Sequence, residues 1–237
     1  MDDAVRLLST LALKGAVTRL AGQFEATNGI RIDADFAPTV GLLQRLRGGE
    51  HADLVVLTRE GLDEVAGEGR VVPETRTDLA RSYVGLAVSA GAPHPDISTT
   101  ESFRAALLAA RSVAYSRIGA SGILFAQLIE GLGIAAEINA KAMIVSGFTA
   151  ERLVSGEADL AIQQISELKQ VEGIQVVGPL PRGLQTPALF SAGIMASAAR
   201  PVEAERLLRF LASPEVAAVL RETGLSLESG VAISGAR

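Results

Sequence analysis

The chain contains no cysteine and only two histidines, His51 and His94, among 237 residues. Without thiols there is neither a disulfide framework nor a thiolate metal site. Two histidines in unrelated loop-like contexts leave a zinc enzyme or a Ser-His-Asp hydrolase without its parts, so no metal is expected. No apolar run approaches the ~20 residues that a membrane span needs. The basic residues are scattered and the net charge is −5, which gives no reason to expect nucleic acid or an anionic membrane surface as a partner. The turn before Gly122 lacks a Gly-Lys-Ser or Gly-Lys-Thr ending and no G-x-G-x-x-G precedes the helix, which argues against a nucleotide loop. Met1-Asp2-Asp3-Ala4 shows no basic n-region, apolar core or cleavage site. A native start at Met1 implies the cytoplasm, a removed leader implies the periplasm, and the lack of cysteine suits both.

What is present is a large apolar fraction, 48%, enough for one large or two small cores. Strand and helix signals alternate along the chain, which predicts parallel sheets flanked by helices. Leu13, Val17, Leu20, Ala21 and Phe24 recur at helical spacing and Asn28-Gly29 closes that helix, while Asp53-Leu54-Val55-Val56-Leu57 reads as a buried strand. The segment after Val72 reads as a polar stretch, and the tail Gly230–Arg237 as mobile. Crossings near 83–89 and 186–196 divide the chain into a discontinuous first lobe, 1–82 plus 190–237, and an inserted lobe, 83–189. That layout makes a cleft lined by strand ends: Ser9-Thr10, Pro38-Thr39, Ser116-Arg117, Ser146-Gly147 and Gln163-Gln164. Ligands collect at such ends in α/β sheets.

The most informative stretch is Val113–Ile129, a short strand, a turn of small residues and a helix whose first free N–H groups lie beside Ser121. Converging backbone donors and the aligned peptide dipoles attract an anion there, and Arg117 adds a positive charge. Side chains alternate along a strand, so only one of Gln163 and Gln164 is expected to face the cleft.

Several blocks carry a resemblance over nearly the whole chain: Leu8-Ser9-Thr10 entering a helix that ends Gln23-Phe24-Glu25, Phe36-Ala37-Pro38-Thr39, Ala52–Leu57, Ala120-Ser121-Gly122 and Gly156–Ile162. Together they resemble the type II periplasmic binding-protein fold, an α/β architecture with two lobes, two crossover segments and an interlobe cleft. The similarity is specifically to the molybdate-binding-protein-like branch of ABC-transporter solute-binding proteins. It implies hinge closure around a small anion, a possible ABC-transporter permease as partner, no cofactor, and a monomer. In that family the pocket is built from uncharged donors. Carried over, the second-strand hydroxyl falls on Thr39 and the central helix start on Ser121. The serine of the first helix start falls on Ala12, with Ser9 and Thr10 just before it, and the tyrosine position falls on Gln164. Together with Ser116, Arg117, Gly147 and Gln163 these form the expected ligand-binding set. Two missing donors and an added arginine favour a small organic carboxylate over molybdate.

Gln163–Leu168 and Gly178-Pro179-Leu180-Pro181 are also similar to the aconitate isomerases, which shift a proton along an allylic tricarboxylate without a cofactor. That resemblance implies an acid and a base beside the ligand, for which Lys14 and Glu167 are the candidates. The leading expectation is a binding protein; the alternative is such an isomerase.

Overall fold

The computed structural model describes residues 4–227; the tail 230–237, expected to be mobile, lies outside them. The first strand, β1 (Ala4–Ser9), runs into α1 (Leu11–Asn28), followed by β2 (Arg31–Phe36), α2 (Thr39–Arg47), β3 (Leu54–Thr58), α3 (Arg59–Gly67) and β4 (Thr77–Ser82). A single residue later β5 (Val84–Ser89) begins the second unit, with α4 (Thr100–Ala109), β6 (Val113–Tyr115), α5 (Ala120–Gly131), α6 (Ala135–Asn139), β7 (Ala142–Ile144), α7 (Glu151–Val154), β8 (Leu160–Gln164), α8 (Ile165–Leu168) and β9 (Ile174–Pro179). The chain then returns through β10 (Ala188–Ile194), α9 (Pro201–Leu211) and α10 (Ala217–Glu222).

Two five-stranded sheets result, in the orders β2-β1-β3-β10-β4 and β7-β6-β8-β5-β9. The sequence pattern predicted parallel sheets, but both are mixed. β10 runs antiparallel to β3 and β4, and β5 antiparallel to β8 and β9. The reason is connectivity: parallel neighbours need a crossover within their own sheet, whereas β5 and β10 each arrive from the other one. β4 is a second departure, because 77–82 looked too polar for a strand. It is an edge strand paired to β10, with Arg81 also bridging to Ser226, and Asp78 accepts from the hydroxyl of Ser191 on β10 at 2.6 Å. Asp78 and Ser82 find their partners far along the chain, on Ser191 and Ser166.

Each sheet is buried on both faces. α1 covers one face of the first with Ala12, Leu13, Ala16, Val17, Leu20 and Phe24, and ends at Gly29, whose φ of 67° is the left-handed conformation of a helix stop. The opposite face packs Leu42, Leu43, Leu46, Leu62 and Val65 from α2 and α3. In the second sheet Phe125 of α5 meets the Tyr115 ring edge-on at 4.9 Å, and the Tyr115 hydroxyl donates to Asn139 Oδ1 at 2.7 Å. This packing fixes where the start of α5 points. Among the described residues no helix is long and apolar enough to cross a membrane.

Candidate functional site

A small cavity lies between the two sheets, lined by Thr10, Leu11, Pro38, Thr39 and Phe190 from the first unit. The second unit contributes Ser116, Gly119, Ala120, Ser121, Ser146, Gly147, Gln163, Gln164 and Glu167. The starts of α1, α2 and α5 converge on it, and none has a side-chain cap. The first N–H groups of a helix have no partner within the helix, so three sets of backbone donors and three positive dipole ends aim at one space.

Local sequence explains each wall. Thr10 ends β1 in an extended conformation and its N–H is spent on Val56 O at 3.0 Å. Its hydroxyl is buried and has no protein partner, so it is free to bond whatever occupies the cavity. Exchanging Thr10 for valine is therefore expected to leave the unliganded protein equally or more stable, since an unsatisfied polar atom is removed. The same change is expected to weaken anion binding about tenfold or more, the worth of a hydrogen bond to a charged group. Thermal unfolding and titration calorimetry on the same variant check the two signs.

Thr39 opens α2 behind Pro38, and its Oγ1 accepts from Thr58 N at 3.4 Å, leaving its own proton to donate. Gly61 makes room for the Thr39 methyl: a Cβ there would lie 2.7 Å from Cγ2. The Ser116 hydroxyl likewise accepts, from Ile118 N at 3.3 Å. Gly122 lets α5 settle against β6, since a Cβ on it would fall 1.5 Å from Ser116 O. The Ser121-Gly122 pair thus couples a donor to the close approach that aims it.

The opposite wall is a chain of amides ending in an acid. Gln163 Oε1 accepts from Thr149 N and Oγ1 at 2.8 and 3.0 Å, and its Nε2 donates to Gly147 O at 3.0 Å. The Gln163 amide and the backbone N–H of Gln164 lie toward the Glu167 carboxyl and favour its charged form. Both glutamines line the cavity, against the expectation from strand alternation: Gln164 is the last residue of β8 and the N-cap of α8, where the chain turns and the two-residue period ends. With its nitrogen toward the crossing strand, the Gln164 amide donates to Ser82 O at 3.0 Å. Burial pushes the Glu167 carboxyl up to about 8, against the opposing influence of those two neighbouring amide groups.

Of the residues singled out from sequence, Thr10, Thr39, Ser116, Ser121, Gly147, Gln163, Gln164 and Glu167 share this cavity, and Ser9, Arg117 and Lys14 do not line it. Ser9 is fully buried behind it and donates to Thr10 O at 3.3 Å. Arg117 is exposed, with Nη2 donating to Asn139 Oδ1 at 3.2 Å. Lys14 Nζ lies over the Phe148 ring, 5.2 Å from its centre. Arg117→Ala is therefore expected to change anion affinity by less than about threefold, in keeping with the small worth of exposed charges, as calorimetry would measure. Phe190, which the sequence did not point to, also lines the cavity, as does Ser146, which the sequence placed at a cleft-lining strand end but not in the ligand-binding set. Phe190 arrives on the returning strand, which no local motif announces. The cavity thus holds no cation and one ionisable side chain, Glu167. Among the described residues no cluster of His, Cys, Asp or Glu could hold a metal ion. The enclosed volume is about 20 Å³, room for about one water molecule, so a larger ligand requires the walls to part.

A sequence profile described as bacterial extracellular solute-binding protein matches residues 5–226. The chain belongs to that family. Among characterised proteins, an aconitate isomerase from Pseudomonas sp. is 34% identical over 226 residues, 92% of this chain and 86% of that protein. Solved structures of periplasmic binding proteins share the two-lobed type II fold of this solute-binding protein. The periplasmic molybdate-binding protein of Azotobacter vinelandii superposes with a TM-score of 0.81 at 19% identity, covering 95% of this chain and all of that one. The sulfate-binding protein of Mycobacterium tuberculosis H37Rv gives 0.77 at 16% identity, covering 96% and 88%.

Proposed function

We propose that this solute-binding protein closes on an unsaturated polycarboxylate of the aconitate type and shifts its allylic proton, with Glu167 carrying the proton. The observation that carries this reading is the chemistry of the cavity: uncharged donors suited to an anion, and one buried carboxyl poised near neutrality among them. An inorganic oxyanion can use such a carboxyl only as one more hydrogen-bond donor, because it carries no carbon-bound proton to exchange. A CH₂ group next to a C=C bond offers a proton to exchange. Residues 4–82 with 190–227 would move as one lobe and 83–189 as the other, opening the small cavity for entry.

The step balances without a cofactor. The Glu167 carboxylate takes a proton from the CH₂ carbon, and the C–H electron pair spreads over the allyl unit into the adjacent carboxylate. Helix-start N–H groups and the Thr10, Thr39 and Ser121 hydroxyls stabilise the added charge. The Glu167 acid then returns the proton to the far carbon of the allyl unit, the double bond moves by one position, and the carboxylate is regenerated. The resemblance in Gln163–Leu168 to aconitate isomerases and the 34% identity to one of them support the choice of substrate class.

A second reading is favoured by the family and by the two-lobed fold: a receptor that holds the same carboxylate without chemistry and hands it to an ABC-transporter permease. Titration calorimetry with cis- and trans-aconitate, a saturated tricarboxylate, molybdate and sulfate tests what both share. Binding of the tricarboxylates with no heat from either oxyanion is expected. Molybdate binding in preference to every carboxylate would sink both readings.

A further inference from the structure

We infer that Lys14 and Phe148 form a clasp that holds the two lobes shut over the cavity, which makes Lys14 a positioning residue. This rests on the reading that the lobes open and close. Lys14 lies in the first turn of α1, just beyond Thr10 and Leu11, which line the cavity from the first unit; Phe148 directly follows Ser146 and Gly147, which line it from the second. The ammonium stands 5.2 Å from the centre of the ring, within the range of an attractive cation–π contact. The contact therefore bridges the cleft at the rim of the cavity.

Other bridges are of a different kind. Gln170 Nε2 donates to Leu11 O at 3.1 Å, Lys169 Nζ to Glu222 O at 3.1 Å, and the Ser82 and Ser166 hydroxyls lie 3.2 Å apart beside the crossing strand. These come through α8, which packs at close range. A Cβ on Gly224, whose φ is +88°, would lie 3.0 Å from Lys169 Cδ and 3.1 Å from Ser166 N, and one on Gly15 would lie 3.3 Å from Gln170 Cγ. Such tight packing beside the crossing suits a pivot that keeps its contacts. Lys14 lies on the α1 face that also meets Lys169 and Gln170, but its ammonium reaches past them to the Phe148 ring, so opening stretches this contact and its strength biases the balance of open and closed forms.

The absence of cysteine makes the test clean. Cysteines introduced at Val154 and Val202, both more than half exposed, take spin labels on opposite lobes, and pulsed electron resonance reads the distance in the ligand-free full chain. Lys14→Met and Phe148→Leu are each expected to lower the closed-to-open ratio about two- to fivefold, the scale of one cation–π contact. The double variant should show no further change and Lys14→Arg should restore the ratio. Additive effects overturn the clasp, as does an unchanged ratio, including one accompanied by a lowered unfolding temperature. A single distance in every protein would instead show that the lobes do not open, which removes the reading beneath it as well.

Discussion

Glu167→Gln is expected to abolish proton transfer, lowering turnover by about 10² to 10⁴-fold, the usual worth of a positioned general base, while leaving polycarboxylate affinity within a few-fold of the parent. Glutamine keeps the shape, but it neither takes nor returns a proton. Because burial raises the carboxyl to about 8, kcat/KM in the parent should climb with pH and level off above that value. The same group makes a stability statement. Its folded pKa lies above the ordinary 4.5, so between those values the native state holds a proton that the unfolded state has released, and stability falls as pH rises through that window. Glu167→Gln removes this slope, and the variant should gain on the parent toward pH 8 in thermal unfolding scans. A variant with parental turnover would take Glu167 out of the chemistry.

The second large effect is at Gly122. An added methyl would sit 1.5 Å from Ser116 O, an overlap with backbone that rotamer adjustment does not relieve. α5 must lift off β6, disturbing the Tyr115–Phe125 contact and carrying the Ala120 and Ser121 donors out of the cavity. Gly122→Ala is therefore expected to cost about 3 kcal/mol or more, the upper end of overpacking, and to abolish detectable anion binding. Chemical denaturation and calorimetry on one preparation check both, and a stable variant that binds normally would mean that the start of α5 is not part of the site.

The contrast between legible and illegible parts of this chain follows the range of the interactions involved. Thr10, Pro38-Thr39 and Ser121-Gly122 mark helix starts by local chemistry, and the cavity is built where those three starts meet. β4 escaped because Asp78 is satisfied across the sheet by Ser191 on β10 and by Arg59 as well. Gln164 escaped because its direction depends on the turn into α8. Arg117 and Lys14 were drawn toward the ligand by charge alone, whereas side-chain direction placed one against Asn139 and the other over Phe148. The burial of Glu167 depends on α8 being packed beside α1 and Gly224, a tertiary fact with no trace in the four residues of that helix.

The central claim, that this cavity moves a proton rather than only holding an anion, is tested most directly by incubating the protein with trans-aconitate in deuterated water and following the ligand by NMR. The cis isomer is expected to accumulate, with deuterium in its CH₂ position to the extent that the Glu167 proton exchanges with solvent before it is returned, and both are lost in Glu167→Gln. Saturable binding of aconitate with no exchange and no isomer would contradict it and leave a receptor.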